Sequence, residues 1–143
     1  MAVKKHLKPV QIETSDACET LFVDILGSCG RTRICLVYRP QSYTYDQNVV
    51  LVNLIREKLC SVSKCCVFGD FNFTHINWQM YESNVTSERY FLQCIMELNL
   101  KQLVVEPTRE MNILDLCLTS SEDLVAGIEV RETFSTSDHC VLS

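Results

Sequence analysis

Apolar and polar residues along the first forty positions fall into three extended runs. "PVQIET" (9–14), "CETLFVDILGS" (18–28) and "RTRICLVYRP" (31–40) predict successive strands; the last is apolar from Ile34 to Tyr38 and is stopped by Pro40. Gly27 to Gly30 supply the hairpin turn between the second and third. From Asp46 the period changes. Val49, Val52, Ile55, Leu59 and Val62 recur at three- and four-residue spacing, with Asn53, Arg56, Glu57 and Lys58 opposite, which predicts an amphipathic helix with Asp46 as its N-cap. The helix leads into "KCCVFGDFNFTHINW" (64–78), where Cys65 to Phe68 form a buried strand. After a loop through "THINWQMYESN", a second helix is predicted from about Thr86 to Leu98, with Phe91, Ile95 and Leu98 on one stripe and Asn99 as its left-handed C-terminal residue. Short strands and turns occupy the rest.

Two stretches carry polar residues where the pattern is otherwise apolar. Side chains at i and i+2 of an extended chain project from one face, about 6.5–7 Å apart at the α-carbons. If "DFNF" is extended, Asp70 and Asn72 look one way and Phe71 and Phe73 look into the protein; alternatively, Gly, Asp and Asn simply favour the turn after a strand, which is the stronger reading of the tetrapeptide taken alone. In "NILDLCLTS", Leu114, Leu116 and Leu118 share a face, while Ile113, Asp115, Cys117 and Thr119 share the other. A carboxylate set among apolar neighbours requires a partner. His139, in "TFSTSDHCVLS", is the candidate.

Composition narrows the class. The 143 residues are 47% hydrophobic and 22% charged, without a linker, repeat or low-complexity tract, so a single globular domain over 1–143 is expected. The start lacks the apolar core of a signal peptide, and no apolar run approaches the roughly 20 residues of a membrane span; the expected location is intracellular, cytoplasmic or nuclear, with no membrane partner. The sequon Asn84-Val85-Thr86 has no meaning without secretion. Nine cysteines are scattered through apolar runs without a C-x-x-C pair, and read as buried reduced thiols in preference to zinc ligands or disulfides. A net charge of −5 and pI near 5.1 argue against non-specific adhesion to nucleic acid. They leave a phosphate substrate open, because a magnesium enzyme gathers carboxylates around an ion that brings its own positive charge.

The order "VYRP" (37–40), "GDFN" (69–72), "EPTR" (106–109), "ILDLCLT" (113–119) and "SDH" (137–139) closely resembles the endonuclease/exonuclease/phosphatase superfamily. It is most similar to the apurinic-type endonuclease domain that precedes the reverse transcriptase of non-LTR retrotransposons, where "GDFN", a following Trp such as Trp78, "L..LV.EPTR" and "ILDL.LT" recur. The resemblance implies an α/β (α+β) fold, a two-sheet sandwich flanked by helices as in deoxyribonuclease I, with the site at one rim. It implies a Mg²⁺-dependent phosphodiester hydrolase acting on DNA. In that frame Asp70 is the general base, and Asn72 on the same face holds the phosphate or the nucleophile. His139 binds a phosphate oxygen and is held cationic by Asp115, Asp138 binds or faces the metal, and Tyr38 sets its hydroxyl near the phosphate. Asp138 and His139 share one site only if the backbone bends at Thr136-Ser137.

The family pattern also opens with strands bearing an Asn and a metal-binding Glu, for which this chain has no room. The expectation is therefore a partial domain, one sheet lacking its opening strands, from a retrotransposon-type reading frame without its reverse transcriptase. Metal binding would be weakened, and an exposed sheet edge would favour self-association. Glu13 and Glu19 are poor substitutes for the missing Glu. The alternatives are an inactive remnant with at most a binding role, and a phosphatase of the same superfamily. Thr108 and Arg109 read as a turn brace, Trp78 as packing, His6 and His75 as surface residues, and Lys4, Lys5 and Lys8 as a solvated charged end.

Overall fold

The computed structural model describes residues 8–15, 17–27, 30–131 and 141–143. Strands β1 (Lys8–Ser15), β2 (Thr20–Gly27) and β3 (Gly30–Tyr38) form an antiparallel meander, and the β2–β3 hairpin closes at the Gly27/Gly30 pair as expected. Helix α1 (Tyr45–Leu59) then carries the chain to β4 (Cys65–Asp70), which lies parallel to β3. Helix α2 (Thr86–Glu97) leads to the short β5 (Lys101–Gln102) and to β6 (Asp115–Thr119), antiparallel to β4. The six strands order as β1-β2-β3-β4-β6-β5; β7 (Val130–Arg131) and β8 (Val141–Leu142) make a separate two-stranded ladder. This is the mixed α/β architecture that the sequence implied.

The helices cover one face of the large sheet. Leu51, Val52, Ile55 and Leu59 of α1 and Phe91, Cys94 and Ile95 of α2 share a core with Phe22, Cys35, Val37 and Val67 of the strands. The α1 stripe differs from the predicted one in a single turn: Leu51 is fully buried, while Val49 is half-buried. The predicted cap also moves. Thr44, not Asp46, caps α1: its hydroxyl accepts from the Gln47 backbone N–H (3.3 Å), and the Gln47 side chain accepts from the Thr44 N–H (2.9 Å). Asp46 lies inside the first turn, where its carboxylate complements the positive end of the helix. Helix α2 ends as expected, with Asn99 at φ 51°.

Alternation along β2, β3 and β4 places Phe22, Cys35 and Val67 under the helices, and Leu21, Leu36 and Phe68 on the other face. A buried ion pair lies on the helix side. Asp24, 2% exposed, accepts from Arg33 Nε (2.7 Å) and Nη2 (2.8 Å) and also from Arg31, while Arg33 Nη1 donates to the Lys58 carbonyl at the end of α1 (2.6 Å). The Arg33 hydrogen bonds hold the Asp24 carboxyl below the usual range. Of the described cysteines, Cys18, Cys35, Cys65, Cys66, Cys94 and Cys117 are buried free thiols and Cys60 is exposed. Burial raises Cys94 to about 11 and Cys117 to about 12, so these thiols stay protonated and inert, as the composition implied. No helix among the described residues is long and apolar enough to cross a membrane.

Candidate active site

Three of the candidate residues stand in one row across three neighbouring strands. Tyr38 pairs with Asp70 at the end of the parallel β3–β4 ladder, and Asp70 pairs with Asp115 at the end of the antiparallel β4–β6 ladder. Directly paired residues project from the same face, so all three side chains leave the sheet on the side opposite the helices. The row continues to Glu19, whose carbonyl accepts from the Tyr38 N–H (2.9 Å). Glu19 and Tyr38 line a shallow depression of about 390 Å³ with Leu36 and Phe68. Glu13 belongs to another place: it pairs with Phe22, in the row and on the face of Cys35, and binds Lys58 (2.8 Å). It cannot stand in for a ligand beside Asp70.

Gly69 allows the row to form. Its φ of 154° and its approach to β3 leave no space for a side chain, since a Cβ there would lie 1.8 Å from the Val37 carbonyl oxygen. Beyond Asp70 the extended-strand expectation fails. The strand stops, and Asn72 takes a left-handed conformation at φ 49°, with its backbone N–H donating to Asp70 Oδ1 (3.1 Å). A turn, not strand alternation, therefore brings Asn72 to Asp70. Phe71 and Phe73 are nevertheless buried, and both pack on Phe91.

The turn is held by a residue that the sequence reading did not single out. Arg39 is 5% exposed and donates from Nε to Asn48 Oδ1 (2.6 Å) and from Nη1 to the carbonyls of Phe71 (3.0 Å) and Asn72 (3.1 Å); its guanidinium lies 4.2 Å from the centre of the Phe73 ring. Its own backbone completes the brace. The Arg39 N–H donates to the Asp70 carbonyl (2.8 Å), and the Arg39 carbonyl accepts from the Asn72 side-chain amide (3.1 Å). Burial lowers the Arg39 pKa, which the nearby Glu88 and Asp70 carboxylates oppose; a guanidinium is not deprotonated in proteins, so the group remains a cation. One signal was available: an Arg between Tyr38 and Pro40, at the mouth of a helix that carries a buried Asn48.

Asp115 is positioned by Thr108. That side chain is fully buried, and its hydroxyl accepts from the backbone N–H groups of both Leu114 and Asp115 (3.0 Å each). Arg109 and Asn112 close the adjoining turn through a pair of backbone hydrogen bonds, so the turn-brace reading of "EPTR" describes its structure. Arg109 also lines a cleft of about 150 Å³ with Asn72, Thr74 and Asn112. Asp138 and His139, together with Lys4, Lys5 and His6, lie outside the described residues. Among the described residues no three His, Cys, Asp or Glu side chains gather closely enough to hold a metal ion.

The sheet rim, the row and the braced turn place the chain in a structural class with known members. It overlays on the endonuclease domain of TRAS1, a telomere-specific non-LTR retrotransposon, with a TM-score of 0.69 and 17% identity, covering 92% of this chain and 64% of that domain. It also matches the 3'-5' exonuclease NExo from Neisseria meningitidis (TM-score 0.62, 15% identity, 94% of this chain and 70% of that one). A structure of the 3' phosphatase NExo bound to a product DNA hairpin gives 0.64 at 14% identity, covering 95% and 70%. This is the endonuclease/exonuclease/phosphatase fold. Residues 32–143 match the endonuclease-reverse transcriptase family, and the chain belongs to that family. It spans less than two-thirds of the TRAS1 domain. A search of curated proteins found no match.

Proposed function

We propose that the chain is the larger part of a retrotransposon-type DNA endonuclease, a hydrolase of phosphodiester bonds. The observation that carries this reading is the single row of Tyr38, Asp70 and Asp115 at the sheet rim, with Asn72 folded back onto Asp70. Asp70 would take the proton of the attacking water. The Asn72 side-chain amide donates one hydrogen to the Arg39 carbonyl, and its other hydrogen would donate to a phosphate oxygen. Tyr38, 46% exposed, offers its hydroxyl from the neighbouring strand. His139, steadied by Asp115, would meet the charge that develops on the phosphoryl oxygens. Family resemblance supports Mg²⁺ as the cofactor, with Asp138 as a ligand; the ion would supply positive charge to the phosphate oxygens.

A second reading, a non-catalytic chain that binds DNA without cutting it, rests on the chain's spanning 64% of the TRAS1 domain. Nicking of supercoiled plasmid DNA separates the two. The assay compares the chain itself, a fusion that adds the preceding segment of the TRAS1 endonuclease domain, and Asp70→Asn in each. Nicking by either form that disappears with Asp70→Asn supports the hydrolase. Absence of nicking from both, with DNA still bound, establishes the second reading.

A further inference from the structure

We propose that Thr74 is a second donor to the phosphate that Asn72 receives, its hydroxyl aimed by a buried carboxylate on α2; the proposal rests on the DNA-directed reading of the site. The cleft beside Asn72 holds about 150 Å³, below the roughly 300–1,000 Å³ of sites that enclose whole small molecules. It suits one group of a longer ligand. Arg109 and Glu110 bring one charge of each sign to its lining, so the direction of its hydrogen-bond donors decides what enters. Asn72 and Thr74 both line it, whereas Phe71 and Phe73, which alternate with them, are buried against Phe91 of α2.

The first turn of α2 sets the direction of the Thr74 hydroxyl. Glu88 lies one turn before Phe91, on the same face of the helix, and is 4% exposed. Its carboxylate is a hub. Oε2 accepts from the Ser83 hydroxyl (2.5 Å), while Oε1 accepts from the His75 backbone N–H (3.3 Å) and stands 3.3 Å from His75 Nδ1. A carboxylate only accepts, so Nδ1 carries a hydrogen at this contact. The same nitrogen is 3.1 Å from Thr74 Oγ1. With Nδ1 as the donor, the Thr74 oxygen is an acceptor there, and its own proton is left for a further acceptor. The hydroxyl makes no other hydrogen bond among the described residues. Were Nδ1 unprotonated, it would take the Thr74 proton and turn the hydroxyl away from the cleft; Glu88 and His75 are therefore positioning residues. The cleft then offers the Thr74 hydroxyl, the second amide hydrogen of Asn72 and the Arg109 guanidinium. Three donors around so small a space match a phosphate group, whose oxygens accept and do not donate.

A short oligothymidylate and an abasic oligomer with the same number of phosphates test this by anisotropy titration. Thr74→Val, which keeps the volume but removes the donor, should weaken both about three- to tenfold, and Thr74→Ser, which keeps the hydroxyl, should stay within about a factor of two of the unsubstituted chain. A carboxamide both donates and accepts, so Glu88→Gln no longer fixes the hydrogen on Nδ1. It should weaken binding in the unsubstituted chain and add nothing to Thr74→Val. Long-range ¹H–¹⁵N spectra read the imidazole itself: in the neutral ring His75 should carry its hydrogen on Nδ1, and Glu88→Gln should give a mixture of tautomers. If Glu88→Gln does not fold, the spectrum of the unsubstituted chain and the two Thr74 variants decide. A neutral ring with its hydrogen on Nε2, binding indifferent to Thr74→Val, a loss that Thr74→Ser shares, an effect confined to the oligothymidylate, additive effects of Glu88→Gln and Thr74→Val, or no binding of either oligomer would overturn the proposal. Plasmid nicking that Asp70→Asn abolishes, with binding indifferent to Thr74→Val, would remove Thr74 but keep the hydrolase, and a Thr74-dependent affinity without nicking would do the reverse.

Discussion

Asp70 and Asp115 are directly paired across the β4–β6 ladder, at its final register position and on the same face. One comes from a strand that ends in a braced turn, the other from a strand whose first N–H is held by Thr108. Two carboxylates so close in register are costly unless other groups surround them. Their placement at the rim, in line with Tyr38, keeps both out of the apolar core.

If Asp70 acts as the base, Asp70→Asn in a nicking-competent form should reduce the rate by about 10²–10⁴ without changing thermal stability by more than a small amount, since Asp70 is half-exposed. Measured rates within a factor of two of each other would remove Asp70 from that role.

Thr108→Val keeps the volume of a fully buried side chain but strips the acceptor from the Leu114 and Asp115 N–H groups. Leaving one buried and one part-buried donor unpaired should cost about 2 kcal/mol in chemical denaturation. Activity should fall with it, because the start of β6 loses its anchor. Unaltered stability would show that water or another acceptor replaces the hydroxyl.

Much of this arrangement was legible in the sequence, for reasons that differ residue by residue. The strands and both helices follow from apolar period, and Asn99 follows from its position after α2. The failures lie where side chains answer distant backbone. Arg39 reads locally as a surface cation, and only the folded chain brings Asn48, Phe71, Asn72 and Phe73 around it. Strand alternation gave Asn72 the right neighbour by the wrong route, because a left-handed residue breaks the two-residue period of an extended chain. The capping box Thr44-x-x-Gln47 was present in the sequence but was overshadowed by Asp46 in the first turn.

Arg39 tests how far the turn depends on one side chain. Arg39→Lys retains a charge but cannot reach Asn48 and the two carbonyls at once, and it loses the planar stack on Phe73. A loss of about 2–3 kcal/mol is expected, the scale of a broken buried network. Amide exchange at residues 70–73 should accelerate more than at α1. Uniform protection in the variant would show that the turn holds itself.

Gly69→Ala should be more damaging than any substitution at the neighbouring exposed positions. The new methyl would meet the Val37 carbonyl at 1.8 Å, so β3 and β4 must part where Tyr38 and Asp70 are paired. A cost of about 3 kcal/mol or more is expected, read as a lowered midpoint in urea. A near-neutral result would mean that β4 can slide without loss of its ladder.

The buried pair of Asp24 and Arg33 gives the stability of the fold a defined pH dependence. Hydrogen bonds from Arg33 lower the folded-state pKa of Asp24 below its unfolded value of about 3.9. The unfolded chain therefore takes up the proton first as pH falls. Its stabilising contribution is complete above the unfolded pKa and is lost as pH drops through the folded one. At neutral pH, Asp24→Asn leaves Arg33, 8% exposed, with the Lys58 carbonyl but without its counter-charge, and should cost about 3 kcal/mol. Arg31 is half-exposed, so its arm of the pair adds little. Urea titrations of the two proteins between neutral pH and pH 3 should show a difference that is constant down to about pH 4 and shrinks below it. A gap that stays constant throughout would mean that Asp24 does not titrate in this range. A gap that widens on acidification would show that the sign of its shift is the opposite of the one assigned here.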